Sequence, residues 1–211
     1  MKMKQTLFIA LLTFLIVNFT FAQTNKNLKM NKSLIIIDIQ NDYFEKGTMT
    51  LVGSDNASKN AKLVLEQFRR EKLPIIHIQH IATRPTATFF LPYTDGAKIH
   101  ENVKPFEEEK VIIKHYPNSF RETELLDYLK VNNITDLTIC GMMTHMCIDA
   151  TTRAAYDLGF KCIVIGDACA TKDLELNGQI AKAKDVQIAF LSALDGTFAD
   201  IKSTHEITNG K

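Results

Sequence analysis

Leu137-Thr138-Ile139-Cys140-Gly141-Met142-Met143-Thr144-His145-Met146-Cys147-Ile148-Asp149-Ala150-Thr151-Thr152-Arg153 is the stretch on which the fold is decided. Leu137 to Cys140 has the apolar, β-branched character of the end of a buried strand, and Ile148 to Leu158 reads as a helix that stops at Gly159. Cys147 therefore falls where a strand hands over to a helix. Unpaired backbone N–H groups and the helix dipole favour a thiolate at such a point. An inert core thiol is the competing reading of the same residue. The choice depends on what the rest of the chain brings to that end of the sheet.

Outward from this stretch, strand-like and helix-like segments alternate. Ser33 to Ile39 is a continuous β-branched run suited to a strand covered on both faces, interrupted by Asp38. Ser54 or Asp55 is placed to cap a helix that carries Ala57, Ala61, Val64, Leu65 and Phe68 on one stripe and ends near Lys72. Pro74 to His80 is a second strand and Lys110 to Lys114 a third. Ser119 and Glu122 have capping-box spacing ahead of Leu125, Leu126 and Leu129, which predicts a helix from Ser119. Asp136 to Cys140 is the fourth strand and Lys161 to Gly166 the fifth. A helix is expected around Gln179 to Leu194, with a last short strand over Phe198 to Ile201. This alternation predicts an α/β fold: a mostly parallel sheet of about six strands with helices on both faces. Ligands bind such sheets beyond the C-terminal ends of the strands.

Composition bounds the function. A chain of 211 residues, 45% hydrophobic, supports one domain with a real core, here residues 33–205. The net charge of +1, without a basic block, argues against nucleic-acid binding by a charged surface. The four cysteines form no C-x-x-C pair, so no zinc knuckle or dithiol motif is present, and Cys147 is expected free. Lys2 and Lys4, the apolar run Leu7 to Val17 and the small-residue site at Thr20-Phe21-Ala22 read as a signal peptide over residues 1–22. Residues 23–32 follow as a polar lead-in. The expectation is an exported protein, periplasmic or secreted, with no stable membrane anchor after cleavage; an uncleaved anchor is the alternative.

Asp38, Lys114 and Cys147 all fall at or just past strand ends. Each has a bland reading: a hydrogen-bonded Asp, a Lys with its ammonium reaching water, a core Cys. Brought together they suit nucleophilic catalysis, with Lys114 favouring the thiolate and Asp38 carrying the proton.

Ile35-Ile36-Ile37-Asp38-Ile39-Gln40-Asn41-Asp42-Tyr43, Lys114-His115-Tyr116-Pro117-Asn118-Ser119-Phe120, Gly141 to Arg153, and Gly166-Asp167-Ala168-Cys169-Ala170 together resemble the successive motifs of the isochorismatase-like cysteine hydrolases. The resemblance implies a three-layer α/β/α Rossmann-like fold and an Asp38–Lys114–Cys147 triad. It also implies a cis peptide at Met142–Met143, with the N–H groups of Met143 and Cys147 as an oxyanion hole. The implied reaction is attack of Cys147 on a small amide, followed by hydrolysis of the thioester. Homo-oligomers are common in the resembled family. The Asp-x-His metal motif of nicotinamidases is missing after the second strand, so no metal and no cofactor are expected. The forms of the lysine and cysteine motifs look most like the general cysteine-hydrolase branch, which includes streptothricin hydrolase-like amidases. A metal-assisted nicotinamidase variant and a silent binding protein on the same scaffold are the alternatives.

Tyr43, Phe44, Tyr116, Asn118 and Phe120 follow strand ends and are candidates for the substrate pocket, with His80 as a possible pocket donor. His145 is read as a neighbour of the site rather than a base. Asp149 and Arg153 are spaced to pair along one helix. Phe89 and Phe90, in the irregular segment 81–109, are candidates for a lid or a subunit contact.

Overall fold

A computed structural model describes residues 32–209, so the segment read as a signal peptide and most of the lead-in lie outside the described residues. The chain runs β1 (Lys32–Ile37), α1 (Ser54–Arg70), β2 (Ile75–His80), β3 (Lys110–Lys114), α2 (Leu125–Val131), β4 (Asp136–Met142), α3 (Asp149–Asp157) and β5 (Lys161–Ala170). It continues through β6 (Leu174–Leu176), β7 (Gln179–Ala181), α4 (Ala183–Leu194), β8 (Asp200–Lys202) and α5 (Thr204–Asn209). Six strands form one parallel sheet in the order β3-β2-β1-β4-β5-β8.

Alternation along β1 divides its side chains between two cores. Leu34 and Ile36 pack with Ala61, Val64, Leu65 and Phe68 of α1, while Ile35 and Ile37 pack with Leu125 and Leu129 of α2, Ala155 of α3 and Leu194 of α4. Both faces are thus covered, which is why the run stays apolar until Asp38. Truncating a fully buried residue such as Leu65 to Ala costs about 2–5 kcal/mol. From β1 the chain steps outward to β2 and β3, then returns to place β4 on the other side of β1. The crevice between the C-terminal ends of β1 and β4 is the point where the winding reverses.

Several local expectations are corrected. Neither Ser54 nor Asp55 caps α1: Gly53, at φ 79°, precedes the helix, and no side chain caps it. No helix starts at Ser119. Its N–H donates to Thr151 Oγ1 at 3.0 Å, Glu122 adopts φ 56°, and α2 begins only at Leu125. β5 continues past Gly166 to Ala170, pairing Cys169 with Gly141 after a shift in register. Gln179 to Ala181 is a strand of the β6–β7 hairpin rather than helix. The last strand lies over Asp200–Lys202, and α5 carries the fold past residue 205.

Residues 81–109 form an ordered cover over the ends of β1 and β2. Asn41 N–H donates to Lys98 O and His100 N–H to Ile39 O, while Ala82 N–H donates to Phe90 O. Phe90 is only 1% exposed, so it anchors this cover in the core.

Candidate active site

Asp38 follows β1 directly, in a left-handed conformation at φ 51° that turns the chain out of the sheet. Lys114 is the last residue of β3. Both side chains are fully buried, and Lys114 Nζ lies 2.8 Å from Asp38 Oδ2 and donates to Pro117 O at 2.8 Å. The Cys147 thiol is hydrogen-bonded to the same Asp38 side chain, and among the described residues no backbone group is. Burial alone would lower the Lys114 pKa, but the facing Asp38, followed by the Cys147 sulfur, outweighs it and the net shift is upward. The ammonium stays charged.

Cys147 sits in a π-helical turn, Thr144–Ile148, that joins β4 to α3, with Ile148 N–H donating to Met143 O at 3.2 Å. The Met142–Met143 peptide that leads into this turn is cis. Gly141, at φ 133°, precedes it; a Cβ there would meet Ile37 O at 2.0 Å. Glycine is what lets the end of β4 press against the end of β1, bringing the cysteine turn up to Asp38.

The expectation of a stabilised thiolate is corrected in the resting protein. Burial and the Asp38 charge push the Cys147 thiol up to about 12, against the smaller pull of Lys114. The helix proper starts only at Asp149, so its free N–H groups do not gather around the sulfur. The resting cluster is therefore Asp38 carboxylate, Lys114 ammonium and neutral thiol.

His80, the last residue of β2, completes the group: a ring nitrogen, an Asp38 carboxylate oxygen and Cys147 Sγ all lie within 4.8 Å of one another. Its backbone is locked by Gln40, whose Oε1 accepts from His80 N at 2.8 Å and whose Nε2 donates to His80 O at 2.9 Å. The sequence reading gave Gln40 no role of its own, and its place in the polar run after Asp38 offered no distinct signal. Asp42 was missed likewise. Its Oδ1 accepts from Thr48 Oγ1 at 2.9 Å and its Oδ2 from Phe90 N–H at 2.6 Å, tying both covering loops to the turn after β1.

The other expected residues distribute unevenly. Tyr43 is buried among Phe89 and Phe90, and burial first, then its nearness to Cys147 and Asp38, holds its pKa well above the ordinary tyrosine value. Phe44 stacks on His100 at 3.7 Å and lines an open cavity of about 880 Å³, together with Asn41, Leu51, Thr88 and Gly96. Asp38, His80, Lys114 and Cys147 do not line that cavity. Tyr116 is covered by the Arg121 guanidinium at 3.6 Å, and Asn118 Oδ1 accepts from Phe120 N–H at 2.9 Å. Phe120 stacks on Phe160, against the core that includes Cys147. His145 pairs with Thr171 Oγ1 at 2.6 Å, and Arg153 pairs with Asp149 at 2.9 Å. All four cysteines are free.

Asp38, His80 and Cys147 are donor types that hold divalent metals, but the same carboxylate already faces an ammonium at 2.8 Å. A metal ion there would have to displace a fixed positive charge, so the cluster fits a metal poorly.

A parallel α/β/α sandwich that closes a carboxylate, an amine and a thiol together at its switch point has the form of a small-molecule hydrolase. A family model described as Isochorismatase domain matches residues 32–192, and the chain belongs to the isochorismatase family of hydrolases. It is 47% identical over 175 residues to YddQ of Bacillus subtilis, an uncharacterized isochorismatase family protein, covering 83% of this chain and 97% of the relative. It is 29% identical over 153 residues to a streptothricin hydrolase of Streptomyces noursei, covering 72% of this chain and 60% of that protein. The crystal structure of a candidate isochorismatase hydrolase from Oleispira antarctica superposes with TM-score 0.84 at 46% identity, over 87% of this chain and 99% of that one.

Proposed function

We propose that the protein hydrolyses a small amide or lactam-type C–N bond through a thioester on Cys147. The observation that carries this reading is the buried convergence of Asp38, Lys114 and Cys147 from three separate strand ends. Substrate entry expels water and brings a carbonyl to the sulfur. Asp38 then takes the thiol proton as the C–S bond forms, and Lys114 keeps the cluster's charge balanced. The N–H groups of Met143 and Cys147 stabilise the developing oxyanion. Asp38 passes its proton to the departing amine, and water hydrolyses the thioester. In this reading Tyr43 lies at the reacting end of the pocket, and Tyr116 and Asn118 lie at its approaches.

The streptothricin hydrolase relative supports the C–N bond as the target. The ammonium already paired with Asp38 supports a metal-free mechanism over the nicotinamidase-type alternative. The leader-like first 22 residues support export, and exposed Leu176, Ile180 and Ile188 support self-association into a homo-oligomer. The reaction is tested with a panel of small amides scored for released ammonia or amine. Wild type is expected to turn over at least one of them and Cys147→Ala none; equal turnover by the variant contradicts the mechanism.

A further inference from the structure

We propose that His80 is the general base that activates water for hydrolysis of the Cys147 thioester; the inference rests on the thioester reading above. Acylation gives a role to Asp38, Lys114 and Cys147 but leaves open what deprotonates the incoming water. Asp38 is badly placed for it. Its carboxylate is fully buried behind Lys114, whose ammonium holds it at 2.8 Å, so entering water does not reach it first. His80 differs on each count. It is half-buried, while Asp38, Lys114 and Cys147 beside it are buried, so it is the member of the cluster nearest to solvent. Among the described residues neither ring nitrogen has a hydrogen-bond partner, and the ring packs beside Phe90 at 5.7 Å between centroids. A nitrogen lies within 4.8 Å of both Cys147 Sγ and Asp38, a gap that one bridging water spans.

The surroundings hold the imidazole in the form a base needs. Burial lowers its pKa, Asp38 opposes that, and Lys114, His115 and Arg84 reinforce it, for a net shift downward. The ring is therefore neutral at neutral pH. Gln40 fixes the His80 backbone through both its N–H and its C=O, so the ring's position does not depend on a partner for the ring itself.

The step balances. Water oxygen bonds to the thioester carbon as His80 accepts one water proton. Collapse of the tetrahedral adduct breaks the C–S bond, and the sulfur leaves with the electron pair. The imidazolium returns its proton to that sulfur, restoring the neutral thiol of the resting site. The acid product gives its own proton to solvent.

The probe is p-nitrophenyl acetate, whose phenolate leaves without help, followed by stopped-flow absorbance and by mass analysis of the quenched Cys147 peptide. In His80→Gln the burst of p-nitrophenolate is expected to keep its amplitude. The steady-state rate is expected to fall by about 10²–10⁴-fold, with acetyl-enzyme accumulating. In His80→Ala, added imidazole restores steady-state turnover, which a purely structural defect would not allow. Wild-type deacylation slows as pH falls below the ordinary histidine value of 6.5, and this limb disappears in the variants. Deacylation at the wild-type rate in His80→Gln, or no rescue of His80→Ala, overturns the proposal and leaves the thioester reading standing. A burst that survives in Cys147→Ala overturns the thioester reading instead.

Discussion

Lys114 Nζ and Asp38 Oδ2 face each other at 2.8 Å with both side chains wholly excluded from solvent. Removing either partner leaves the other as an uncompensated buried charge. Asp38→Asn or Lys114→Met alone is expected to cost about 3–5 kcal/mol of stability and to abolish turnover. The double variant is expected to recover most of the stability and none of the activity. Urea unfolding beside amide turnover checks this; single variants as stable as wild type would mean that the pair is not a coupled unit.

The buried thiol gives a chemical signature. Because the folded Cys147 pKa is raised from 9.0 to about 12, little thiolate exists near neutral pH. Iodoacetamide is expected to modify Cys147 at least about tenfold more slowly than a free thiol in the absence of substrate. The same shift stabilises the fold below pH 9 and is lost as pH rises from there through about 12. Peptide mass mapping over time decides it, and labelling faster than a free thiol would show that the resting group is already ionised.

Acid should destabilise the fold from below pH 6.5. Burial, the leading cause in each case, lowers the pKa of His77, His80, His100 and His145 from the ordinary 6.5. The unfolded chain therefore binds protons that the folded chain refuses. The stability contribution is complete above 6.5 and is lost as pH falls through the folded values. Tm is expected to drop by a few degrees between about pH 7 and pH 5. His77→Gln should flatten part of that slope, since His77 is 1% exposed and pairs with Glu109 at 2.9 Å. An unchanged Tm across this range would contradict the assignment.

Gly141 should tolerate no side chain. Its φ of 133° and the 2.0 Å approach of a Cβ to Ile37 O force β1 and β4 apart in Gly141→Ala. A loss of about 2–4 kcal/mol is expected, with turnover falling further because Asp38 and the cysteine turn separate. Chemical denaturation measures the first and the amide assay the second; a loss within about 0.5 kcal/mol would mean the strands adjust freely.

The layout of the sheet was legible because burial writes itself into composition. The unbroken Leu34 to Ile37 run and the stripe through Ala57, Ala61, Val64, Leu65 and Phe68 each match the face they bury. The β6–β7 hairpin was misread for the opposite reason. Gln179, Ile180 and Ala181 are all exposed, so periodicity carries no information there. The usable signal was Asn177-Gly178, both at positive φ, a two-residue hairpin turn. Ser119 failed as a helix start because Thr151, 32 residues away, already takes its N–H. The candidate site was legible as residue types at strand ends. The protonation state of Cys147 was not, since it follows from burial and from a carboxylate more than a hundred residues earlier in the chain.

The most direct test of the account is a rapid acid quench of the enzyme during steady turnover of a small amide or ester, followed by mass analysis of the peptide that carries Cys147. The account predicts an acyl adduct on Cys147 that forms with release of the leaving group and decays at the turnover rate. Continued turnover with no adduct on that peptide, or equal turnover by Cys147→Ala, would contradict it.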